Sequence, residues 1–520
     1  MSEETTNPEA TSHLLRVRRE KLTTLRERGI EPFAYRYDRS HVLSDARERF
    51  LGVEADEGLD EKGYGESVRV AGRIMSWRSH GKSAFADIED ASGRIQLYFR
   101  LNLLGEESFA DLSLLDLGDW IGVEGQVFRT RSGEVTVRAS SWAILSKSMR
   151  PLPIAKEEED PDTGARIVHS GFADVQARYR QRYADLAVHA EVREVFKLRT
   201  RTVSAVRRFL DAEGFLEVET PVLQPVYGGA MARPFRTHHN ALDRTLYLRI
   251  ADELYLKRLI VGGLDRVYEI GKDFRNEGID RSHNPEFTML EFYQAFADYR
   301  MMMETVERLL AEVTEAVTGH TRILYQGKEL DLAPPFRRVS FVEALDDRLG
   351  SRVMEMDDAE LRGKAEELTG EDLEGAGRGR LLDKLFGAVV EGTLDQPTFV
   401  VDYPVELSPL AKPHREDDRL TERFELFVAG FEIANAFSEL NDPFDQRARF
   451  DSQTRLREAG DDETHPVDED YLRAMEYGMP PTGGVGIGVD RLVMLLADQA
   501  SIRDVILFPT LREGEGKGSG

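Results

Sequence analysis

The hydrophobic pattern of this chain changes kind once, across residues 150–167, and one core cannot serve both halves. From 67 to 143 apolar residues alternate in short runs separated by turn signals, the period-two pattern of half-buried strands. From about 177 onward, helical repeats are mixed with strands. Between the two lie Pro151, Pro153 and the acidic run Glu157-Glu158-Glu159-Asp160-Pro161-Asp162, which reads as an exposed linker. The length of 520 residues agrees with this division, since single cores stop growing near roughly 250–300 residues.

The expected organisation is a disordered tail over 1–12, a helix and small barrel over 13–150, and a linker with an acidic insertion over 151–176. A large α+β domain over 177–512 and a loose tail over 513–520 complete it. The first helix is expected over about 13–29, ended by Gly29 and Glu31-Pro32. In the barrel, Ser67–Ile74 alternates, Ala84–Glu89 and Arg94–Phe99 flank Ser92-Gly93, and Ile121–Phe128 and Glu134–Ala139 flank Ser132-Gly133. Five strands with a helical stretch near 107–116 fit a Greek-key barrel of the OB type. Such barrels bind single-stranded nucleic acid through aromatic and basic side chains on one face. Trp77, Arg78, His80, Lys82, Phe85, Gln96 and Tyr98 are the candidates, although each aromatic taken alone fits the core better than a base platform.

The formal charge of −26 argues against a protein that coats nucleic acid without specificity. Residues 11–40 run the other way, with eight Arg/Lys against four acids. That stretch fits a local phosphate contact and a solvated helix face equally. No apolar run of 18 residues and no signal-like start are present, so a cytoplasmic protein without membrane spans is expected. The absence of cysteine excludes disulfides, thiolate metal sites and cysteine nucleophiles.

Chemistry concentrates between Phe274 and Tyr293, F-R-N-E-G-I-D-R-S-H-N-P-E-F-T-M-L-E-F-Y. Val267–Ile270 and Glu286–Tyr293 read as strands joined by a polar loop. Strand parity then places Phe287, Met289, Glu291 and Tyr293 on one face. Phe287 suits a planar base. Glu291 and Tyr293 lie about 13–20 Å further along at about 3.3 Å per residue, where a small cation would sit. Arg275, ending the first strand, suits a phosphate. A salt-bridged surface hairpin accounts for the same residues about as well.

Two further constellations follow. In Phe424–Asn435, a turn at Ala429-Gly430 pairs 427 with 432 and makes Glu425 and Glu432 diagonal neighbours on one face. Like charges so placed call for a cation, and oxygen ligands suit Mg²⁺ on phosphates. Glu439 follows them. The run Gly483–Arg491 lacks the endings of a Walker A loop or a Rossmann fingerprint. It reads as a buried strand feeding a helix near Asp490, with Arg491 at the positive helix end, facing a terminal phosphate.

With these residues in view, the chain resembles bacterial-type class II lysyl-tRNA synthetases, over roughly 15–510. Gly214–Pro221 looks like motif 1 at a homodimer interface, Phe274–Glu291 like motif 2, and Gly484–Arg491 like motif 3. Arg233-Pro234-Phe235, His238–Asp243, Tyr247–Leu259 and Glu406–Lys412 look specifically lysyl-type. The resemblance implies an OB-fold anticodon domain and a catalytic domain on an antiparallel sheet with flanking helices. It implies activation of L-lysine by ATP with Mg²⁺, then transfer to tRNA(Lys), with no part for DNA or membrane. Arg275, Arg491 and His283 match the catalytic phosphate contacts. Glu277 and Phe287 match adenine contacts, and Glu425 and Glu432 the metal-binding acids. Gly229 and Glu253 match contacts to the α-amino group, and Asn435 a carboxylate contact. Glu291, Tyr293 and Glu439 match the side-chain ammonium pocket, and Phe85 and Gln96 anticodon contacts. Trp77 stands where many relatives carry a basic residue, and Ala436 where some have glycine. An aspartyl- or asparaginyl-type ligase is the nearest alternative, and a non-enzymatic OB-fold RNA-binding protein the other.

Overall fold

The computed structural model describes residues 8–56, 58–60, 63–154, 156–159, 166–169, 172–458 and 466–512. The chain divides into two units, Met1–Asp174 with Tyr183–Val188, and Val175–Arg182 with His189–Gly520.

The first unit opens with helix α1 (Pro8–Glu27). It starts five residues ahead of the expected position, so the tail expected over 1–12 is helical from Pro8; proline is favoured in a first helical turn. Residues 1–7, and the loose tail expected over 513–520, lie outside the described residues. Strands β1 (Tyr64–His80), β2 (Ser83–Glu89), β3 (Arg94–Arg100), β4 (Trp120–Arg129) and β5 (Val135–Ser146) close into a barrel of order β1-β2-β3-β5-β4. The closing β3–β5 pair is parallel and every other pair antiparallel. Alternate residues Val70, Ala86, Leu97, Val123 and Val137 fill the interior with no exposed surface. The β1–β2 register shifts between Ile74 and Ser76, and the extra residue at this bulge reverses strand parity beyond it. Trp77 consequently packs against the barrel core and stacks on Phe99 at 5.7 Å, while Arg78 is exposed.

The basic N-terminal stretch is partly spent inside this unit. Arg18 donates to the carbonyls of Ser148 (2.6 Å) and Leu117 (2.9 Å), and Lys21 pairs with Asp116 at 2.7 Å. Arg28 pairs with Asp111. The linker expected over 151–176 contains an antiparallel pair, β6 (Lys156–Glu159) and β7 (Arg166–His169). The β-branched Ile167-Val168 favours extension there.

The second unit is built on an eight-stranded sheet. Helix α2 (Ala190–Ala212) leads to β8 (Leu216–Glu217); helix α3 (Glu253–Val261) precedes β9 (Arg266–Phe274) and β10 (Glu286–Ala295). Helix α4 (Tyr299–Thr318), β11 (Arg337–Ser340), β12 (Thr398–Pro404), β13 (Leu420–Val428) and β14 (Phe431–Ser438) follow. Helix α5 (Glu469–Glu476), β15 (Thr482–Gly488) and helix α6 (Val489–Leu496) complete the unit. The order is β11-β12-β13-β14-β15-β10-β9-β8. Six strands are antiparallel as expected, but each edge strand runs parallel to its neighbour. Leu290 and Phe292 of β10 and Ile487 of β15 pack with Phe209 of α2 and Leu309 of α4 in one core. The odd-numbered residues of β10 therefore point to the opposite face. Ala436 belongs to the helix-side core, so its methyl lies away from that face and cannot narrow a pocket there.

Candidate active site

That opposite face holds a cavity of about 330 Å³ lined by β10, β14, β15 and the loops around them. At one end the Arg275 guanidinium lies 5.0 Å from the centre of the Phe287 ring. Arg275 immediately follows β9, and Phe287 pairs with Asp273 in the β9–β10 register. Glu277 and His283, on the loop between these strands, line the same end. Arg491 donates to the Glu432 backbone carbonyl at 2.7 Å and approaches His283 Nε2 at 3.3 Å. The other ring nitrogen, Nδ1, lies 2.8 Å from Asp280. Both contacts hold together when Nδ1 carries the proton and Nε2 accepts. Burial would raise the Asp280 carboxyl, yet hydrogen bonds from His283 and Ser282 take it down to about 2. Arg491 sits in the first turn of α6 as expected, and its neighbour Asp490 accepts from the Thr288 amide at 2.7 Å, tying α6 to β10.

The other end is acidic and closed. Glu291 and Tyr293 are buried, with the tyrosine hydroxyl donating to the carboxylate at 3.0 Å. Burial, then repulsion from Asp273 and Glu253, pushes the Glu291 carboxyl well above its ordinary range. Glu439 is pushed up to about 8, chiefly by burial. Gly484 explains how these groups fit together. A Cβ there would lie 2.1 Å from a Glu439 oxygen and 2.3 Å from the Tyr293 ring. Gly229, at φ +90°, presses on Ala251 and Glu253 in the same way. The glycine run thus serves close packing, Gly484 against an acid and a ring, Gly483 against Met302 and Gly486 against Met289.

Beneath this floor lies a buried charge network that motif reading missed. Arg249 is 2% exposed and pairs with Glu269 at 2.6 Å, Asp252 at 2.8 Å and Asp273 at 3.3 Å. Gly271 makes room for it, because a Cβ there would meet the guanidinium at 1.9 Å. Lys257 is missed too, although it stands one helical turn after Glu253, the spacing of an ion pair. Arg423 also lines the cavity, its Nε donating to Asn435 at 3.2 Å.

The β13–β14 hairpin departs from expectation. Phe427 pairs with Glu432, but the register slips between Leu426 and Phe427, and Glu425 falls opposite Asn435. The extra residue is a bulge beside the site. Glu432 and Asn435 line the cavity, whereas Glu425 is not among its lining residues; it is held by Tyr403 at 2.8 Å and by Arg423. Burial raises Glu425 to about 7 and Glu432 adds to this, so the two acids do interact. Among the described residues no group of three or more metal-ligating side chains forms.

In the first unit, Phe85 and Tyr98 stack at 4.7 Å on the outer barrel face, and Gln96 accepts from Thr136 at 3.0 Å. The aromatic row extends beyond the expected residues, to Phe128 at 6.2 Å from Tyr98 and Tyr64 at 5.8 Å from Phe128. Arg138 lies 3.9 Å from the Tyr64 ring centre.

A family model described as tRNA synthetases class II (D, K and N) matches residues 174–512. A second, OB-fold nucleic acid binding domain, matches 68–145. A lysine–tRNA ligase of Pelotomaculum thermopropionicum is 54% identical, over 97% of this chain and 96% of its own length. The chain belongs to the lysine–tRNA ligase family. Relatives of the same name from Enterococcus faecalis and Bacillus subtilis are 50% and 48% identical, over 95% and 99% of this chain and 97% and 100% of theirs. As a lysine–tRNA ligase family member the chain is an aminoacyl-tRNA synthetase, and neither alternative kept open by the sequence is favoured. No helix among the described residues is long and apolar enough to cross a membrane.

Proposed function

We propose that the chain couples ATP to L-lysine and then loads tRNA(Lys). The lysine carboxylate attacks the α-phosphorus, an O–P bond forms, and pyrophosphate leaves with its electron pair. The terminal ribose hydroxyl of tRNA then displaces AMP. The observation that carries this reading is one cavity with opposite electrostatics at its two ends. Arg275, Arg491, His283 and Phe287 lie at one, and Glu291, Tyr293, Glu439 and Glu253 at the other. Arg275 and Arg491 hold phosphates, Phe287 and Glu277 hold adenine, and Gly229, Glu253 and Asn435 hold the α-amino and carboxylate groups. No covalent nucleophile or strong base is required, since the attacking carboxylate is already ionised. Catalysis is alignment and neutralisation of charge on phosphoryl oxygens.

Glu425 and Glu432 would hold Mg²⁺, which contributes positive charge to the phosphates when bound. Two carboxylates suit an ion that completes its shell with phosphate and water oxygens, and the mutual repulsion of this pair favours a cation. The aromatic barrel face around Phe85 and Gln96 supports anticodon binding. Exposed Leu216, Val222 and Leu223 at the β8 edge support a homodimer. A cytoplasmic location follows from the reaction. ATP–pyrophosphate exchange with each amino acid in turn tests the reading. Lysine should drive it, and exchange driven by aspartate or asparagine instead would sink the proposal.

A further inference from the structure

The lysine-binding end already contains a lysine. Lys257, on α3, has no exposed side-chain surface. Its ammonium reaches Glu253, one turn back on the same helix, and Glu439, just past β14. These are two of the three acids assigned above to substrate. The third, Glu291, has no such partner: its oxygens meet the Tyr293 hydroxyl and the Asp252 amide. Tyr293 from β10, Tyr471 from α5 and Arg423 from β13 also face this cluster.

We propose that Lys257 is the resident counter-ion of the lysine pocket, a positioning residue that holds Glu253 and Glu439 around one buried ammonium and so sets how many more the pocket accepts. Three acids less one internal cation leave two negative charges to be matched. Lysine brings two ammonium groups, and Arg275 answers its carboxylate. An amino acid with a single ammonium leaves one buried acid uncompensated, which the interior does not tolerate. Lys257 thereby takes part in selection without touching the reacting atoms. The Glu439 carboxyl, raised by burial to about 8, is restrained by Lys257 from rising further. In the ligand-free enzyme it keeps a proton that substrate displaces.

The proposal rests on the lysine reading of this cavity, and its test separates the two. Lysine-dependent ATP–pyrophosphate exchange is measured from pH 6.5 to 9.5 for wild type and Lys257→Met, with the lysine KM expressed on the doubly protonated amino acid because its α-ammonium also titrates in this range. In wild type the lysine KM should fall with rising pH and level off near pH 8. In the variant it should be about 10²-fold higher at neutral pH, with the levelling-off at least about one pH unit higher. The KM for ATP should stay put. A raised lysine KM whose levelling-off coincides with wild type would mark Lys257 as merely structural and overturn the proposal, as would an unchanged KM. Should Lys257→Met not fold, Lys257→Gln removes the charge while keeping a hydrogen-bond donor for Glu253 and Glu439. The same upward displacement is expected there, and its absence is decisive against the idea. Wild type lacking lysine-dependent exchange would instead defeat the functional reading.

Discussion

Replacing Gly484 by alanine adds one methyl group between Glu439 and Tyr293. The new Cβ would stand 2.1 Å from a Glu439 oxygen and 2.3 Å from Tyr293 Cε1. Ordinary carbon contacts lie near about 3.5 Å, so each neighbour must retreat by more than about 1 Å. Neither can do so freely, because Glu439 is paired with Lys257 and the Tyr293 hydroxyl with Glu291. A misplacement of about 1 Å costs on the order of 10²-fold in rate, and overpacking costs about 1–3 kcal/mol of stability. The kcat/KM for lysine in ATP–pyrophosphate exchange should therefore fall about 100-fold, with the lysine KM raised, the KM for ATP nearly unchanged and the melting temperature lowered. Gly363→Ala is the control. It lies in the helix Asp358–Thr369 with nothing within 4 Å of its Cβ, where alanine is the better helix former by about 1 kcal/mol. A Gly484→Ala enzyme with wild-type lysine KM would refute the close-approach argument.

Glu291→Gln should raise the lysine KM about 10²–10³-fold, as for a buried ammonium without its carboxylate; pyrophosphate exchange at varied lysine reads this. Gly271→Ala should displace Arg249 from its three acids and lower stability by about 3–5 kcal/mol, read by urea denaturation. Phe85→Ala should weaken tRNA charging about 5- to 150-fold, the worth of one stacked base, while lysyl-adenylate forms at the wild-type rate. The fourth expectation concerns pH. Glu439 rises from the ordinary 4.5 to about 8 on folding. A raised carboxyl stabilises the fold below pH 4.5 and loses that contribution as pH climbs through 8. Thermal melts should show this loss between pH 5 and 8, and saturating lysine should flatten it. Parallel slopes with and without lysine would contradict the assignment.

Strand parity carried the sequence reading far, because β10 is regular along its length. The assignment of 287, 289, 291 and 293 to one face needed nothing beyond period two, and the cavity lies on that face. The same logic failed at β13–β14, where one extra residue moved Glu425 from a diagonal of Glu432 to a position opposite Asn435. At Trp77 the β1 bulge reverses parity and turns the ring onto the barrel core, in line with the sequence expectation that a lone aromatic there fits the core better than a base platform. Bulges carry little signal in a single sequence. The Arg249 network was hidden for a different reason. Its members at 249, 252, 269 and 273 come from a loop and a strand separated by a helix. Only the assembled sheet shows that Gly271 is vacant so that a guanidinium can enter.

The sheet order has a consequence for how the enzyme is made. β15, the last strand among the described residues, lies in the middle of the sheet, between β14 and β10. During synthesis the barrel, contiguous from Tyr64 to Ser146, can close while most of the second unit is still unmade. The catalytic sheet instead remains split into two halves, with open strand edges at β14 and β10, until residues 482–488 leave the ribosome. Those edges are the nascent chain's exposure to wrong pairing. The strand that ends it carries Gly484, which admits Glu439 and Tyr293, and leads directly into Arg491. Closure of the sheet and completion of the binding site are the same event.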